Sequence, residues 1–164
     1  MNNFQEVLSL HRDKMFDLER RWVNALQQLD DEDVNWRPND VSNSIANLVV
    51  HVAGNLRQRF VSGIGQESDI RDRDEEFNTR EWFSKTELIN LLTEQFSTVH
   101  RTLQCLTPDK LFQVYTIKNQ DRTVLDVIFE VVTHISEHLG QVLFIAKMRL
   151  DDRYQIQWAP HQRR

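Results

Sequence analysis

The sequence predicts an all-α protein whose main elements form a four-helix bundle. Gly and Pro are scarce among the 164 residues, at 4 and 3, so few positions interrupt regular structure. Four long segments carry apolar residues at helical spacing, and β-branched residues are not gathered into alternating strands. Four amphipathic helices of roughly 20 to 27 residues, with long connections between the second and third and between the third and fourth, are typical of a bundle.

The first predicted helix runs from Asn3, its predicted cap, to Leu29. The residues that share one face at 3.6-residue spacing are Phe4, Val7, Leu8, His11, Met15, Leu18, Trp22, Leu26 and Leu29. The next segment, residues 30–43, is polar and acidic and contains a proline, which predicts a loop. Trp36 is the residue of this loop that we expect to insert into the core.

The second predicted helix spans Ile45 to about Ile64 and is capped by Ser42 or Ser44. Its core face carries Ile45, Leu48, Val49, Val52, Leu56 and Phe60. A charged loop follows. Ser84 opens the third predicted helix with a capping box, and the Thr-Pro pair at 107–108 ends it.

The segment Leu111–Arg122 shows short alternation followed by Asn-Gln-Asp, which predicts a small hairpin or an extended crossover. The fourth predicted helix, Thr123 to Leu150, is the longest apolar-periodic stretch of the chain, so we expect it to be central and buried. In the polar tail, Tyr154, Ile156 and Trp158 alternate, which predicts an extended arm.

Composition argues against several classes of function. The net charge of −5 comes from interleaved charges of both signs, unlike the basic surface of a nucleic-acid-binding protein. The sequence contains no run of about 18 apolar residues, so no membrane span is predicted, and no export signal is apparent. The single cysteine, Cys105, predicts a reducing cytoplasm and a buried, inert thiol. Without repeats or linkers, we expect one domain over residues 1–164.

The fourth predicted helix carries two histidines, His134 and His138, on one narrow stripe with Val127, Val131, Val142 and Ile145. Buried imidazoles need hydrogen-bond partners, and a divalent metal ion satisfies both rings at once. The i,i+4 spacing also occurs in zinc-protease helices. Glu137 is turned roughly 100° from His138, so we do not assign it to the metal.

A third ligand must come from another helix, and His51, His11 and His100 are the candidates. His11 lies in the middle of an apolar face, where a hydrogen-bonded core histidine is the commoner explanation. His100 lies at the margin of the third helix. His51 is flanked by Asn47 and Asn55, which suits a polar cleft. Spacing alone therefore gives His51 a small preference.

Three blocks of the sequence resemble the DinB-like, or DinB/YfiT-like, metalloenzyme superfamily, and in particular its branch of uncharacterised bacterial proteins. The blocks are NSIANLVVHVAGNLRQRF (43–60), RDRDEEF (71–77) and HISEHLGQVLFIAK (134–147). Members are four-helix bundles in which one histidine of helix two and two histidines four apart in helix four bind a divalent metal. The resemblance thus implies that His51, His134 and His138 are the ligands.

The resemblance also implies a function. Three imidazoles leave a divalent ion, whether Zn, Ni, Fe or Mn, with open positions for water, which is typical of a catalytic centre. A bound water or thiol then loses its proton readily. Some members are S-transferases that activate bacillithiol, mycothiol or glutathione, so a thiol-dependent transferase is the leading hypothesis. A metal-dependent hydrolase comes second, and a non-catalytic stress-response or interaction module is the alternative.

Further residues are candidates around the metal. Asn55 and Gln141 each lie one turn beyond a histidine and line the pocket if they do not simply face solvent. Arg71 and Arg73 are candidate clamps for the carboxylates of a thiol, although charged loops are more often solvated. A second apolar stripe on the fourth helix predicts a homodimer, with an intramolecular core as the alternative; it comprises Ile128, Val132, Ile135, Leu139, Leu143 and Ala146.

Overall fold

The computed structural model describes residues 3–156 and shows a mostly helical chain with one β-hairpin in that range. Its helices are α1 (Asn3–Gln27), α2 (Asp31–Asn35), α3 (Ile45–Leu56), α4 (Arg73–Asn78), α5 (Lys85–Cys105) and α6 (Val124–Leu150). Strands β1 (Val114–Ile117) and β2 (Gln120–Thr123) pair antiparallel. The predicted helical class and the hairpin are both confirmed. Within the described residues, no helix is long and apolar enough to cross a membrane.

The four long helices α1, α3, α5 and α6 pack around one core. Helix α5 contacts α1 and α3, and α6 contacts the same two helices. The apolar faces seen in the sequence are the faces that become buried. The largest side chains in this core are Trp22, Phe60, Phe96, Met15 and Leu92. Full burial of one such side chain stabilises the fold by about 1.5–3 kcal/mol.

Three long helices begin with reciprocal caps that fix where each helix starts. At α3, the Ser44 hydroxyl accepts a hydrogen bond from the Asn47 backbone at 3.2 Å, and the Asn47 side chain accepts from the Ser44 backbone at 3.3 Å. This pairing selects Ser44 over Ser42 as the cap. Ser84 with Glu87 caps α5, and Thr123 with Asp126 caps α6, in the same way.

The second predicted helix does not remain α-helical to residue 64. It is α-helical only to Leu56 and continues as a π-helix over Arg57–Ile64. The wider turn ends with a hydrogen bond from the Gly65 backbone to the Phe60 carbonyl at 2.9 Å. Such segments are frequent at functional sites, and apolar periodicity alone does not distinguish them from an α-helix.

The hairpin is held against this π-helical segment. Ile117, the last residue of β1, is 4% exposed, and a Cβ built on Gly63 would lie 2.6 Å from Ile117 Cδ1. The two turn residues, Lys118 and Asn119, have φ values of 51° and 60°, as a tight two-residue hairpin requires. The contact between Gly63 and Ile117 therefore sets the position of the turn.

Three expectations about individual side chains need correction or comment. Most of the second apolar stripe of α6, for example Ile128 and Leu139, is buried in the chain's own core, as the intramolecular alternative predicted. Cys105 is exposed, so the prediction of a buried thiol is wrong; it is the last residue of α5, where the helix leaves the core. Trp158, predicted to belong to an extended arm, lies outside the described residues.

Candidate metal centre

Three imidazoles meet between α3 and α6. Helix α6 places His134 and His138 one turn apart, and α3 brings His51 to them. The candidate ligand atoms of the three rings all lie within 4.8 Å of one another. The Nε2 atoms of His51 and His134 are 3.0 Å apart, and the ring centroids of His134 and His138 are 4.5 Å apart. The histidines brought together are those that the DinB-like resemblance implied.

The ring of His51 is oriented by a carboxylate. His51 is 2% exposed, and its Nδ1 lies 2.8 Å from Glu76 Oε2, where it can donate a hydrogen bond. That bond leaves the lone pair of Nε2 facing the other two imidazoles. A carboxylate that accepts from the second ring nitrogen is the usual partner of a metal-binding histidine, because it fixes both tautomer and orientation.

Glu76 is itself held by a buried arginine. Arg71 donates from Nε to Oε1 at 2.7 Å and from Nη2 to Oε2 at 2.8 Å, and from Nη1 to Gln58 Oε1 at 2.9 Å. Burial raises the pKa of the Glu76 carboxyl, but the hydrogen bonds from Arg71 and His51 outweigh it and leave this pKa below its ordinary value. Glu76 is therefore ionised at neutral pH.

A glycine makes room for this ion pair. A Cβ built on Gly54 in α3 would lie 2.0 Å from Glu76 Oε1 and 3.2 Å from Arg71 Nε. Sequence reasoning missed both Gly54 and Glu76. The available signal was a glycine inside a strongly apolar helix, which costs about 1 kcal/mol relative to alanine and therefore often has a packing reason.

The electrostatic surroundings keep the α6 histidines neutral. Burial, followed by the proximity of His138 and His51, lowers the pKa of His134 to about 4. Burial also lowers the pKa of His138, although a hydrogen bond with Gln141 Oε1, at 3.2 Å from Nδ1, opposes the shift. Neutral imidazole is the form that binds a metal ion.

A cavity of about 280 Å³ opens beside His51 and His134. Asn55 lines it and is 9% exposed; its Oδ1 is buried without a hydrogen-bond partner among residues 3–156. Arg73 also lines this cavity, and its guanidinium lies 5.2 Å from the ring centre of Phe77. The sequence candidates Asn55 and Arg73 thus line the cavity beside the histidines. Arg71 lines it too, but its guanidinium is directed to Glu76 and lies 3.2 Å from His51 Nδ1.

The other two candidate histidines lie elsewhere. His11 Nδ1 is 2.7 Å from the Val7 carbonyl one turn earlier in α1, the hydrogen-bonded arrangement predicted for it. His100 Nε2 is 2.7 Å from Glu19 Oε2, and its ring stacks on Phe16 at 3.8 Å. The His11 hydrogen bond therefore lies within α1, and His100 links α5 to α1.

The donor set suits a divalent ion. Two imidazole nitrogens 3.0 Å apart repel each other through their lone pairs unless a proton or a cation lies between them. Tetrahedral coordination with bonds of about 2.0–2.1 Å places neighbouring nitrogens roughly 3.4 Å apart, within the 4.8 Å limit of this cluster. The three histidines could thus hold a metal ion, and imidazole ligands do not select among Zn, Ni, Fe and Mn.

The fold is shared with two proteins of known structure. A conserved protein from Enterococcus faecalis superposes with a TM-score of 0.74 at 16% identity, covering 87% of this chain and 96% of that one. A DinB-like protein from Bacillus cereus superposes with a TM-score of 0.65 at 12% identity, covering 91% of this chain and 92% of that one. At such identities the likeness shows the fold alone. No curated protein matched the chain.

A family assignment comes from the sequence match. Residues 2–163 match the family described as "Protein of unknown function (DUF1572)", which is a DinB-like family. The match covers nearly the whole chain and agrees with the DinB-like structural neighbour. The chain therefore belongs to the DUF1572 family, within the DinB-like superfamily.

Proposed function

We propose that this protein is a metal-dependent enzyme in which His51, His134 and His138 hold a divalent ion. The proposal rests on the observation that their ligand atoms lie within 4.8 Å of one another. In addition, Glu76 Oε2 orients the ring of His51 from 2.8 Å. Three protein ligands leave positions for a small molecule, as in catalytic rather than structural sites. The bound ion would act as a Lewis acid that promotes deprotonation of a coordinated water or thiol.

The chain's own residues would orient the site and bind the substrate. Glu76, clamped by Arg71, keeps the Nε2 of His51 directed at the centre. Gln141 restrains His138 through its Nδ1. Asn55 presents a buried amide oxygen to the adjoining cavity, where it can accept a hydrogen bond from a bound molecule.

The leading proposal for the reaction is thiol-dependent S-transfer. A low-molecular-weight thiol such as bacillithiol, mycothiol or glutathione would bind in the cavity and react with an electrophilic acceptor. The DinB-like resemblance and the 280 Å³ cavity beside His134 support it. Metal-dependent hydrolysis is the second candidate, because Glu130 is a carboxylate that lines the same cavity. A non-catalytic metal-binding module is the third.

Metal analysis tests the centre. Purified wild-type protein should contain close to one equivalent of a divalent metal by elemental analysis, and the His134→Ala variant should lose it. His11→Ala is the matched control, because His11 bonds only within α1 in the described structure, and it should retain the metal. Equal metal content in wild-type and His134→Ala protein would overturn the proposed centre.

A thiol panel then separates the three functional proposals. Each thiol is assayed with an electrophilic acceptor before and after chelation. Conjugation that disappears on chelation supports the transferase, and turnover with water alone supports the hydrolase. If the metal-loaded protein shows neither activity, the non-catalytic module is favoured.

We also propose a homodimer of four-helix bundles in the cytoplasm. The exposed face of α6 carries Phe129 and Phe144, each 65% exposed. Between them lies Gly140, where a built Cβ would have no neighbouring atom of the described chain within 4 Å outside the backbone of α6. Two α6 helices could pack closely here, because Gly140 has no side chain to keep them apart. Light scattering that gives a monomer at micromolar concentration would contradict the dimer.

A further inference from the structure

The cavity beside the histidines has an excess of positive charge, although the chain as a whole carries −5. Arg59, Arg71, Arg73 and Lys118 all line it. Arg71 is paired with Glu76 at 2.7 Å, and Arg59 lies 3.4 Å from Glu130. Within residues 3–156, neither Arg73 nor Lys118 forms a salt bridge. Two cations at the cavity are thus left for a ligand.

Lys118 is brought to the cavity by the hairpin. It follows Ile117, which is buried against Gly63 of the π-helical segment, so the turn has a defined position on the body of the protein. At Lys118 the φ angle is 51°, in a region where Gly, Asn and Asp are preferred in two-residue turns. The turn thus holds a lysine in a backbone conformation that this residue type rarely adopts.

The ammonium group of Lys118 lies near other positive charges. Partial loss of water around its ammonium, followed by the nearby charges of Arg71 and Arg59, lowers the pKa of Lys118. Asp69 opposes this shift but is already hydrogen-bonded to Gln58 at 2.5 Å. Cations that repel each other in a partly enclosed space attract an anion.

We propose that the small molecule bound at the metal centre carries a separate oxyanionic group, carboxylate or phosphate, that Lys118 and Arg73 bind across the cavity. This inference rests on the proposed metal centre and specifies its substrate class. Guanidinium and ammonium donors both form charge-assisted hydrogen bonds to such groups. Asn55 Oδ1, buried and without a partner in the described residues, lies on the same cavity and accepts from the body of the ligand.

The test uses cobalt(II)-loaded protein and thiols that differ in charge. The probes are 3-mercaptopropionate, 2-mercaptoethylphosphonate and neutral 2-mercaptoethanol, with Kd measured from the thiolate-to-cobalt absorption band. At least one oxyanionic thiol should bind about tenfold more tightly than 2-mercaptoethanol, a difference of about 1.4 kcal/mol. The tighter of the two identifies carboxylate or phosphate as the preferred group, and added salt should reduce the advantage.

Substitutions at the turn locate the effect. Lys118→Asn places a residue that tolerates positive φ at the turn, so the hairpin is preserved while the charge is removed. We expect this variant to lose most of the tenfold preference, since only Arg73 remains to bind the oxyanion, and we expect Lys118→Arg to keep most of it. Lys110→Ala removes an exposed lysine outside the cavity and should leave the preference unchanged.

The outcomes separate the two proposals. Cobalt uptake with thiol binding that does not depend on charge, or a charge preference that is undiminished in Lys118→Asn, would overturn the oxyanion site and leave the metal centre standing. Failure of the folded protein to take up cobalt would overturn both. The Tm of each variant, measured in parallel, shows that it is folded.

Discussion

The carboxylate of Glu76 occupies the space that a side chain at Gly54 would fill. A Cβ on Gly54 would lie 2.0 Å from Glu76 Oε1, much closer than any non-bonded contact allows. The glycine in α3 therefore permits the carboxylate of α4 to approach His51, one helical turn away from it in the sequence. A backbone position that carries no side chain thus controls the orientation of a neighbouring imidazole ring.

The first prediction concerns this close approach. Gly54→Ala should lower metal affinity by about 10- to 100-fold, because displacing Glu76 removes the hydrogen bond that orients His51. Competition with a chromophoric chelator measures the change. Gly140→Ala is the matched control: outside the backbone of α6, its Cβ meets no atom of the described chain within 4 Å, so the metal affinity should not change. Equal metal affinities for the two variants would contradict the role of Gly54.

The second prediction concerns the buried ion pair. Glu76→Gln keeps the size of the side chain but removes its charge, leaving the Arg71 guanidinium, whose side chain is 5% exposed, without its counter-ion. We expect a loss of about 3–5 kcal/mol in the free energy of unfolding, measured by urea titration of the metal-free protein. Glu75→Gln, at an exposed neighbouring position, should change stability by less than about 0.5 kcal/mol.

The third prediction links metal to stability. An ion that binds only the folded chain stabilises it by RT ln(1 + [L]/Kd), about 2.7 kcal/mol when free metal is 100 times Kd. Adding a divalent metal to chelator-treated protein should therefore raise its Tm, and His138→Ala should abolish the rise. His100→Ala should preserve it, even if its own Tm is lower after losing the contact with Glu19. A rise of the same size in His138→Ala would point to binding elsewhere.

The fourth prediction tests an ion pair between α6 and α2, away from the histidines. Arg149 donates from Nε to Asp33 Oδ1 at 2.7 Å and lies over the Trp36 ring at 5.2 Å. Asp33 is 3% exposed, so Arg149→Ala should cost about 1–3 kcal/mol by leaving a buried carboxylate short of a partner. Thermal and urea unfolding measure this loss, and metal content should not change. A variant as stable as the wild type would show that water replaces the guanidinium.

Local sequence patterns predicted much of the fold, because they depend on residues a few positions apart. The 3.6-residue spacing of apolar side chains identified the four long helices. Capping boxes at Ser84 and Thr123 marked two of their starts correctly. The i,i+4 spacing of His134 and His138 likewise placed both rings on one face of α6, which the structure confirms.

What the sequence by itself determined is therefore the set of amphipathic helices and the pairing of two imidazoles, since both follow from geometry within a single helix. The resemblance to DinB-like proteins implied that His51 joins that pair, but only the tertiary structure decided how the three rings are placed, that Glu76 and Arg71 brace them, and that Lys118 lines the same cavity. These contacts join distant parts of the sequence; His51 and His134, for example, are 83 positions apart. They depend on how helices pack and where a hairpin docks, which no local periodicity encodes.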